Sequence, residues 1–383
     1  MKKIKPVKIS NSIIYDNSFI YLQSMCSFGY DNKTELENQI LELSKTNCSL
    51  IRLSIRNENE IEIAKKFKDK YERDDFVFVA DTHFLPKLAI LSIKNGFKKV
   101  RINPGNMNFT DMNLIAKIAK DYDATIRIGL NGGSVYEKLG PYNISKIEQK
   151  NGQSNEKYIS DKYIKKIIDL FSKYLEPFEK QGFEKLVLSS KFSDYIIASE
   201  INEKLAKKFL YPIHLGVTEA GTKTRSTILH TLFLQRMITK GIGSTVRISI
   251  TGDSIDEIDV GNEILKSLSV YKGINIISCP TCGRTWGNLT GYVNQLTNLI
   301  KPIEYKIFKK ENMLNKPITV AIMGCEVNGP GEAKEADFGV SLAKDCAILF
   351  SKGKIVGKIQ KERIIQSLID FINEKINESS KKL

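Results

Sequence analysis

The sequence predicts an α/β protein with two domains, an N-terminal TIM (β/α)8 barrel over residues 1–270 and a small C-terminal α/β domain over residues 271–383. Eight strand-like runs alternate with segments of helical spacing over roughly 250 residues, which matches this barrel in both count and length. No glycine-rich turn follows the first strand, which disfavours a doubly wound open sheet. Two cysteine motifs near the C-terminus indicate that the second domain holds a metal centre.

The strand-like runs of the barrel are rich in β-branched and aromatic side chains. After a leader of residues 1–18, they cover residues 19–25, 50–55, 76–80, 98–102, 125–130, 185–189, 213–217 and 245–250. The segments between them have helical spacing, as at Leu36, Ile40 and Leu43 of the first helix. Thr34 and Glu37 predict a capping box for that helix. Residues 132–160 form an insertion after the fifth strand, and their polar segment 149–155 predicts a mobile loop.

The composition is that of a globular chain, with 383 residues, 42% of them hydrophobic and 27% charged. A chain of this length can bury a sizeable core. No apolar run approaches the length of a membrane span, and residues 1–5 lead into no signal-peptide core. Six cysteines in such a chain suggest a reducing compartment. We therefore expect a cytoplasmic protein that has no membrane partner.

The net charge of +14 raises the question of nucleic-acid binding. Much of the excess is lysine scattered over helix faces, as at residues 65–70 and 162–166. Such lysines are typical of a solvated face, and no basic tract interleaved with aromatic residues is present. The charge pattern therefore predicts no nucleic-acid partner.

Polar side chains follow the predicted barrel strands at their C-terminal ends, where the active sites of TIM barrels lie. Five of them are cations that come from five different strands. Only two carboxylates at these ends, those of Asp81 and Glu219, offset their positive charge. Because arginine forks match phosphate oxygens bidentately, this ring of cations predicts a small diphosphate-like ligand. The polar residues at these ends are Gln23, Ser24, Arg52, Asp81, His83, Arg101, Asn103, Arg127, Asn131, Lys191, Thr218, Glu219, Arg247 and Ser249.

The C-terminal region changes to a smaller α/β pattern from about residue 272. A helix is expected after Asn288 and a terminal helix from Lys361. The strand-like runs cover residues 274–277, 318–323, 338–340, 347–350 and 355–359.

The two cysteine motifs follow the first two strands of this domain. Cys279 and Cys282 have Cys-x-x-Cys spacing, and Cys325 is followed seven residues later by Glu332. Three thiolates with one displaceable oxygen ligand describe a metal centre with an open corner. A closed four-cysteine zinc site would require Cys346, which lies in an apolar run and is better explained as a packed thiol. The spacing alone leaves iron–sulfur and zinc both open.

These motifs resemble the signatures of the 4-hydroxy-3-methylbut-2-enyl diphosphate synthase family, also called IspG or GcpE. The resemblance covers residues 279–284 and 324–333, and it continues along the barrel at residues 23–25, 80–84, 101–106, 214–221 and 241–247. Cys26 stands where the family usually has Thr, and Ser244 where it often has Asp.

The resemblance implies that Cys279, Cys282 and Cys325 bind three irons of a 4Fe-4S cluster and that Glu332 binds the fourth. It implies reductive ring opening and dehydration of 2-C-methyl-D-erythritol 2,4-cyclodiphosphate, which gives 4-hydroxy-3-methylbut-2-enyl diphosphate in the non-mevalonate isoprenoid pathway. Ferredoxin or flavodoxin would supply the electrons, and Glu219 or else His83 the proton. The substrate would contact Arg52, Asp81, Arg101, Asn103, Arg127, Asn131, Lys191, Thr218, Arg247 and Ser249.

A head-to-tail homodimer is expected, because residues 269–273 are a short link between the last barrel helix and the second domain. Extended, this link reaches roughly 17 Å, whereas a return along a helix of about thirteen residues covers roughly 20 Å. The family is known to form such dimers. Two other functions stay open: a zinc-stabilised TIM-barrel hydrolase of phosphate esters, and a basic RNA-binding protein with a structural cluster.

Overall fold

The structure, a computed structural model, describes residues 4–83, 85–140, 144–146, 157–309, 313–327 and 329–380. Its contacts divide the chain into two units, Met1–Leu268 and Ser269–Leu383. Within the described residues, none of the helices combines the length and the hydropathy that a membrane span requires.

The first unit contains a nearly closed barrel of eight parallel strands, so the predicted TIM barrel is confirmed. Its strands in chain order, including two short antiparallel pairs outside the barrel, are β1 (Val7–Lys8), β2 (Ile14–Tyr15), β3 (Tyr21–Met25), β4 (Cys48–Ser54), β5 (Val77–His83), β6 (Lys99–Ile102), β7 (Thr125–Asn131), β8 (Ile144–Lys146), β9 (Lys157–Ile159), β10 (Leu186–Lys191), β11 (His214–Leu215) and β12 (Thr245–Val246). Hydrogen-bonded neighbours follow the order β10-β7-β6-β5-β4-β3-β12-β11. A hydrogen bond from Leu188 N to Pro212 O (2.9 Å) connects β10 to the segment just before β11, at the gap in the ring.

Nine described helices accompany these strands, and they are α1 (Lys33–Lys45), α2 (Glu58–Tyr71), α3 (Pro86–Lys94), α4 (Phe109–Asp121), α5 (Gly132–Leu139), α6 (Asp161–Lys180), α7 (Tyr195–Lys208), α8 (Lys223–Ile238) and α9 (Ser254–Ser267). The capping box predicted for Thr34 and Glu37 is wrong. Asn32 caps α1 instead, since its side chain accepts a hydrogen bond from Glu35 N (3.4 Å). The Glu37 carboxylate accepts from Lys70 Nζ on α2 (2.6 Å).

The last two barrel strands are shorter than predicted, with β11 and β12 each two residues long. The reason is a buried histidine on α8. His230 Nε2 accepts hydrogen bonds from Val217 N (3.1 Å) and Ser249 N (3.4 Å), so these amides are not available to a strand ladder. Burial lowers the pKa of His230 to about 4, which keeps the imidazole neutral and Nε2 able to accept.

The insertion after β7 is only partly irregular. Its first residues form α5, which the side chain of Asn131 caps by accepting from Ser134 N (2.9 Å). Further along, β8 pairs with β9 in antiparallel register. The polar segment 149–155, expected to be a mobile loop, lies outside the described residues.

The N-terminal hairpin of β1 and β2 packs at one end of the barrel interior. Val7, Ile13 and Tyr15 are buried in one cluster with Leu50 and Val77, which stand near the N-terminal ends of their strands. The hairpin therefore fills the N-terminal end of the barrel. The opposite end, where the strands finish, remains the place for a site.

The second unit is built on a mixed five-stranded sheet with the order β13-β14-β15-β16-β17. Strands β13 to β15 are parallel, and β16 and β17 continue the sheet in antiparallel register. Every predicted strand of this unit is present. The elements are β13 (Ile274–Ser278), β14 (Ile318–Met323), β15 (Phe338–Leu342), β16 (Ala347–Ser351), β17 (Lys354–Ile359), α10 (Leu289–Lys309), α11 (Gly329–Glu332) and α12 (Ile364–Ser380).

Candidate functional site

The barrel strands bring the predicted cations together inside the barrel, with Lys191 and Arg247 at the C-terminal ends of their strands and Arg127 deeper, as the third residue of β7. Arg101 and Arg127 stand on the neighbouring strands β6 and β7, and Arg52 is on β4, beyond β5. Lys191 is the last residue of β10, and Arg247 directly follows β12. Arg101 and Arg127 face each other in register. Both are buried, at 7% and 1% exposure, although they are charged. Burial of this kind requires compensation by nearby anions or hydrogen-bond acceptors.

Asp81 is the carboxylate that compensates two of these cations. It is 1% exposed, and its oxygens lie 3.4 Å from Arg52 Nε and 3.1 Å from Arg101 Nη1. Burial raises the pKa of Asp81, but Arg52 and Arg101, followed by His83 and Arg127, outweigh that effect and hold the pKa well below its usual range. Asp81 is therefore an ionised partner that fixes two guanidinium groups.

Glu257 on α9 compensates a third cation, and the sequence analysis did not identify it. Its Oε1 accepts from Arg247 Nη2 (2.8 Å) and its Oε2 from Arg247 Nε (3.2 Å), while Ser24 Oγ donates to Oε2 (2.8 Å). The negative charge that offsets the cations therefore includes a third carboxylate, in addition to those of Asp81 and Glu219. The available signal was a charged residue on the buried face of a helix, three residues after buried Ser254 and four before buried Gly261.

Arg127 differs from the other arginines because its donors are unsatisfied. Its Nε and Nη1 are buried and have no hydrogen-bond partner among the residues that the structure describes. Burial, followed by the charges of Arg52 and Arg101, lowers the pKa of Arg127 well below its usual range. A buried donor without an acceptor is destabilising, so these two N–H groups are available to a further hydrogen-bond acceptor.

Lys191 is held in a constrained position beside Gly216. Burial, followed by the charges of Arg127 and Arg52, lowers the pKa of Lys191 well below its usual range. A Cβ atom at Gly216, where φ is +152°, would lie 2.8 Å from Lys191 Nζ. Glycine at this position therefore gives the lysine room to reach the mouth.

Two of the arginines converge on one atom. Met25 Sδ lies 2.7 Å from Arg52 Nη2 and 3.5 Å from Arg247 Nη1. Arg52 is on β4 and Arg247 directly follows β12, and these two strands flank β3. A thioether sulfur is a weak acceptor. Phosphate oxygens are much stronger acceptors and would compete with it for both guanidinium groups.

The two predicted asparagines are fixed by the turns that follow their strands. Asn103 Oδ1 accepts from Gly105 N (3.3 Å) at a 3-10 turn, and Asn131 caps α5 as described above. Both side chains therefore have a set orientation at the ends of β6 and β7.

Of the remaining predicted residues, His83 is the last residue of β5, Thr218 and Glu219 lie on the segment after β11, and Ser249 lies on the segment after β12. Thr218 N donates to Phe192 O (3.2 Å), and Ser249 O accepts from Ser226 Oγ (2.8 Å). Glu219 is exposed and has a left-handed backbone with φ of +56°, as has His83 with φ of +48°. Non-glycine residues rarely adopt this conformation, and those that do are concentrated at functional sites.

His83 is placed between Arg101 and Asp81. Its Nδ1 lies 3.2 Å from Arg101 Nη1, and its Nε2 lies 3.6 Å from Asp81 Oδ2. Burial lowers the pKa of His83, and Arg101, Arg52 and Arg127 add to this effect against the opposing charge of Asp81. The ring is therefore neutral at pH 7. Because Arg101 can only donate, Nδ1 is the acceptor and the ring proton is carried on Nε2.

The three motif cysteines lie on loops that follow neighbouring parallel strands of the second unit. Cys279 comes directly after β13, and Cys325 follows β14, with Ser278 and Ile322 in register. Cys279 Sγ accepts a hydrogen bond from Gly324 N (3.2 Å), and Trp286 N donates to Gly324 O (2.9 Å). The two loops are thereby joined at one edge of the sheet.

Three cysteine thiols and one carboxylate fit the ligand set of an iron–sulfur cluster. In this structure, however, their side chains are not close enough together to bind one metal centre. Within the described part of the chain, no three His, Cys, Asp or Glu side chains are close enough to form a metal site. All three cysteines are free thiols, and the N–H···S bond at Cys279 is of the kind that tunes iron–sulfur clusters. Glu332 is exposed at the end of α11, and Asn328 of the same motif lies outside the described residues.

The two departures from the usual family residues have structural roles here. Cys26 is buried, and burial, followed by Cys48 and Glu257, raises the pKa of its thiol, which makes it a poor nucleophile. Ser244 Oγ donates to Asn17 Oδ1 and so ties β12 to the N-terminal segment.

Known proteins and family models match this chain over nearly its whole length. Residues 4–262 match the family model described as the GcpE TIM-barrel domain, and residues 275–374 match the GcpE protein C-terminal domain. The chain is similar to proteins named 4-hydroxy-3-methylbut-2-en-1-yl diphosphate synthase (flavodoxin). The one from Fusobacterium nucleatum is 36% identical over 97% of this chain and 98% of its own length. The one from Ruminiclostridium cellulolyticum is 37% identical over 97% of each chain, and the one from Thermotoga maritima 33% identical over 98% of each.

Proposed function

The chain belongs to the GcpE family of 4-hydroxy-3-methylbut-2-en-1-yl diphosphate synthases, and from this premise we propose how its residues perform the reaction. The protein is an oxidoreductase of isoprenoid biosynthesis. It converts 2-C-methyl-D-erythritol 2,4-cyclodiphosphate to 4-hydroxy-3-methylbut-2-enyl diphosphate and water. In the conversion the bond from a ring carbon to a phosphate oxygen breaks, and a hydroxyl oxygen leaves as water. Two electrons and two protons are consumed.

The mouth of the barrel binds the cyclic diphosphate. The observation that carries this assignment is Arg127, whose buried donors Nε and Nη1 have no partner among the described residues. Lys191 adds a second cation, and Arg52, Arg101 and Arg247 are held in place by the carboxylates of Asp81 and Glu257. Asn103, Asn131, Thr218 and Ser249 are the polar contacts around the phosphates. Positive charge fixed in advance stabilises the phosphate oxygen that leaves as the ring opens.

The cysteine loops of the second unit hold a 4Fe-4S cluster through Cys279, Cys282 and Cys325, with Glu332 as the weaker fourth ligand. Such a cluster supplies electrons one at a time and a Lewis-acidic iron when it is bound. The names of the relatives described above specify flavodoxin, so flavodoxin rather than ferredoxin is the expected electron donor. The six free cysteines suit a reducing compartment, and we assign the enzyme to the cytoplasm.

Glu219 is our candidate proton donor. The other two carboxylates of the mouth, Asp81 and Glu257, accept hydrogen bonds from arginines and are needed as anions. Glu219 is exposed on the segment after β11, where it can meet both solvent and substrate. His83 is the second candidate, because it lies beside Asp81 and Arg101 at the same site, and it would give up a proton only from its imidazolium form.

Glu332→Ala is expected to assemble iron and sulfide to the normal level but to lose most of its activity, since an oxygen ligand that can be displaced is replaced by a methyl group. The measurement is Mössbauer spectroscopy of the iron-57 protein together with turnover. The fourth iron should be perturbed while the other three keep their parameters. A variant with the spectra and the turnover of the wild type would show that Glu332 has no part in the site.

Two inactive variants, Arg247→Ala and Cys325→Ser, are expected to regain activity when mixed under conditions of subunit exchange. The reason is the short connection between α9, which ends at Ser267, and β13, which begins at Ile274. We propose that the site joins the barrel of one chain to the cysteine loops of a second chain in a head-to-tail homodimer. A mixed dimer then contains one intact site of two. If each chain formed its own site, mixing would restore nothing.

The cofactor is tested by anaerobic purification followed by iron, sulfide and zinc analysis. A brown protein with roughly four irons and four sulfides per chain supports the assignment. Stoichiometric zinc without sulfide would favour the zinc-stabilised hydrolase, and steep salt-dependent binding of RNA would favour the RNA-binding protein. Neither alternative draws support from the relatives described above.

A further inference from the structure

Glu257 occupies an unusual position behind the barrel mouth. It lies on the inner face of α9 and is 3% exposed, yet it is ionisable. Its two oxygens accept three hydrogen bonds shorter than 3.3 Å, two from Arg247 and one from Ser24. A carboxylate buried this deeply is retained only where its partners are well arranged.

The contacts of Glu257 join three elements of the barrel. Ser24 stands on β3 and is 0% exposed, Arg247 follows β12, and Glu257 itself is on α9. Because Ser24 Oγ donates to Oε2, the carboxylate is prevented from turning away from Arg247. The guanidinium is engaged by a two-point fork through Nε and Nη2, which sets its plane as well as its place.

This fork leaves Nη1 as the corner of Arg247 that faces the mouth. Nη1 points to Met25 Sδ (3.5 Å), the same atom that Arg52 approaches. We propose that Glu257 is a positioning residue for the diphosphate, which acts by aiming Nη1 of Arg247 at the point where the guanidinium of Arg52 also converges. The proposal rests on the diphosphate-binding role of the mouth given above.

Two physical effects of Glu257 have opposite signs, which makes the proposal sharply testable. As a bare negative charge near the ligand, Glu257 repels diphosphate, and Glu257→Gln would then tighten binding. As a positioning residue it improves binding, because glutamine has only one acceptor oxygen and presents a donor NH2 group to a guanidinium that can only donate. Loss of the fork then misplaces Nη1, and the Kd should rise by about tenfold.

The experiment measures the Kd of inorganic diphosphate by calorimetry with the cluster-loaded protein, and KM and kcat for the cyclic diphosphate. Glu257→Gln should raise both Kd and KM by about tenfold. Glu263→Gln on the same helix is the matched control, since its side chain is 66% exposed and pairs only with Lys266 among the described residues. That variant should bind as the wild type does. Ser24→Ala removes one hydrogen bond but keeps the carboxylate, and it should raise the Kd by about threefold.

A double-mutant cycle tests whether Glu257 acts through Arg247. In an Arg247→Ala background, Glu257→Gln should no longer weaken binding and should leave the Kd unchanged or lower it, because the group to be aimed is gone and only the repulsive charge is removed. Unchanged or tighter binding by Glu257→Gln would overturn the proposal, and so would the same tenfold loss in the Arg247→Ala background. If Glu257→Gln does not fold, wild-type binding by Ser24→Ala overturns it. Failure of the proposed function is distinguishable, because the wild type would then bind inorganic diphosphate without converting the cyclic diphosphate.

Discussion

Replacing Cys279, Cys282 or Cys325 by serine is expected to remove most of the protein-bound iron and to abolish turnover. A serine hydroxyl is a hard, protonated ligand at neutral pH, whereas iron–sulfur clusters require soft thiolates. The loss should be severe for each of the three, because the loops after β13 and β14 offer few other donors. Cys279 should be the most sensitive, since its sulfur also receives the hydrogen bond from Gly324 N that joins the two loops.

The matched control for these variants is Cys346→Ser. Cys346 is a free thiol in the same unit, directly before β16. The Cys346→Ser protein should keep its bound iron. Iron and sulfide are measured on anaerobically purified protein, with visible absorption to follow the cluster. The assignment of ligands would be wrong if Cys346→Ser abolished bound iron while Cys325→Ser retained it.

Arg127→Met should weaken binding of the cyclic diphosphate by roughly 1.5–3 kcal/mol, the range for hydrogen bonds to charged groups. The same change should leave the ligand-free protein as stable as the wild type or more stable. The reason is that Arg127 is a buried cation with two unsatisfied donors, and a long apolar side chain removes the cost of burying them. Affinity and stability should therefore move in opposite directions at this position.

Arg101→Met is the matched control for that prediction. Arg101 Nη1 donates to Asp81 Oδ1 (3.1 Å) and Nη2 to Gly129 O (3.1 Å), so its loss leaves a buried carboxylate short of a partner. This variant should lose both affinity and stability. Calorimetry with substrate and thermal melting without it measure the two quantities. Equal loss of melting temperature in the two variants would contradict the view that Arg127 is unsatisfied in the free protein.

The barrel could be predicted because its signals are local. Eight β-branched runs alternate with segments of helical periodicity, which gives the count of eight strands. In such a barrel the C-terminal ends of all strands lie on the same face. The five cations were therefore found by position alone. The two joined cysteine loops were predictable for the same reason, since neighbouring parallel strands end at the same edge of a sheet.

Glu257 could not be found in this way, because its role depends on which helix faces which strand. Only the fold brings α9 behind β3 and β12, where the carboxylate meets Ser24 and Arg247. The short strands β11 and β12 were missed for a similar reason. Their β-branched runs predict longer strands, but the side chain of His230 on α8, thirteen residues after Val217, accepts hydrogen bonds from the backbone amides of Val217 and Ser249.

The central claim is that this chain opens the cyclic diphosphate by reduction, and anaerobic turnover tests it most directly. The measurement is phosphorus-31 NMR of 2-C-methyl-D-erythritol 2,4-cyclodiphosphate incubated with the iron-loaded protein and reduced flavodoxin. The two resonances of the cyclic diphosphate should be replaced by those of 4-hydroxy-3-methylbut-2-enyl diphosphate, and the conversion should require both the iron and the reduced donor. Iron-loaded protein that receives electrons from flavodoxin and leaves the cyclic diphosphate unchanged would contradict the account.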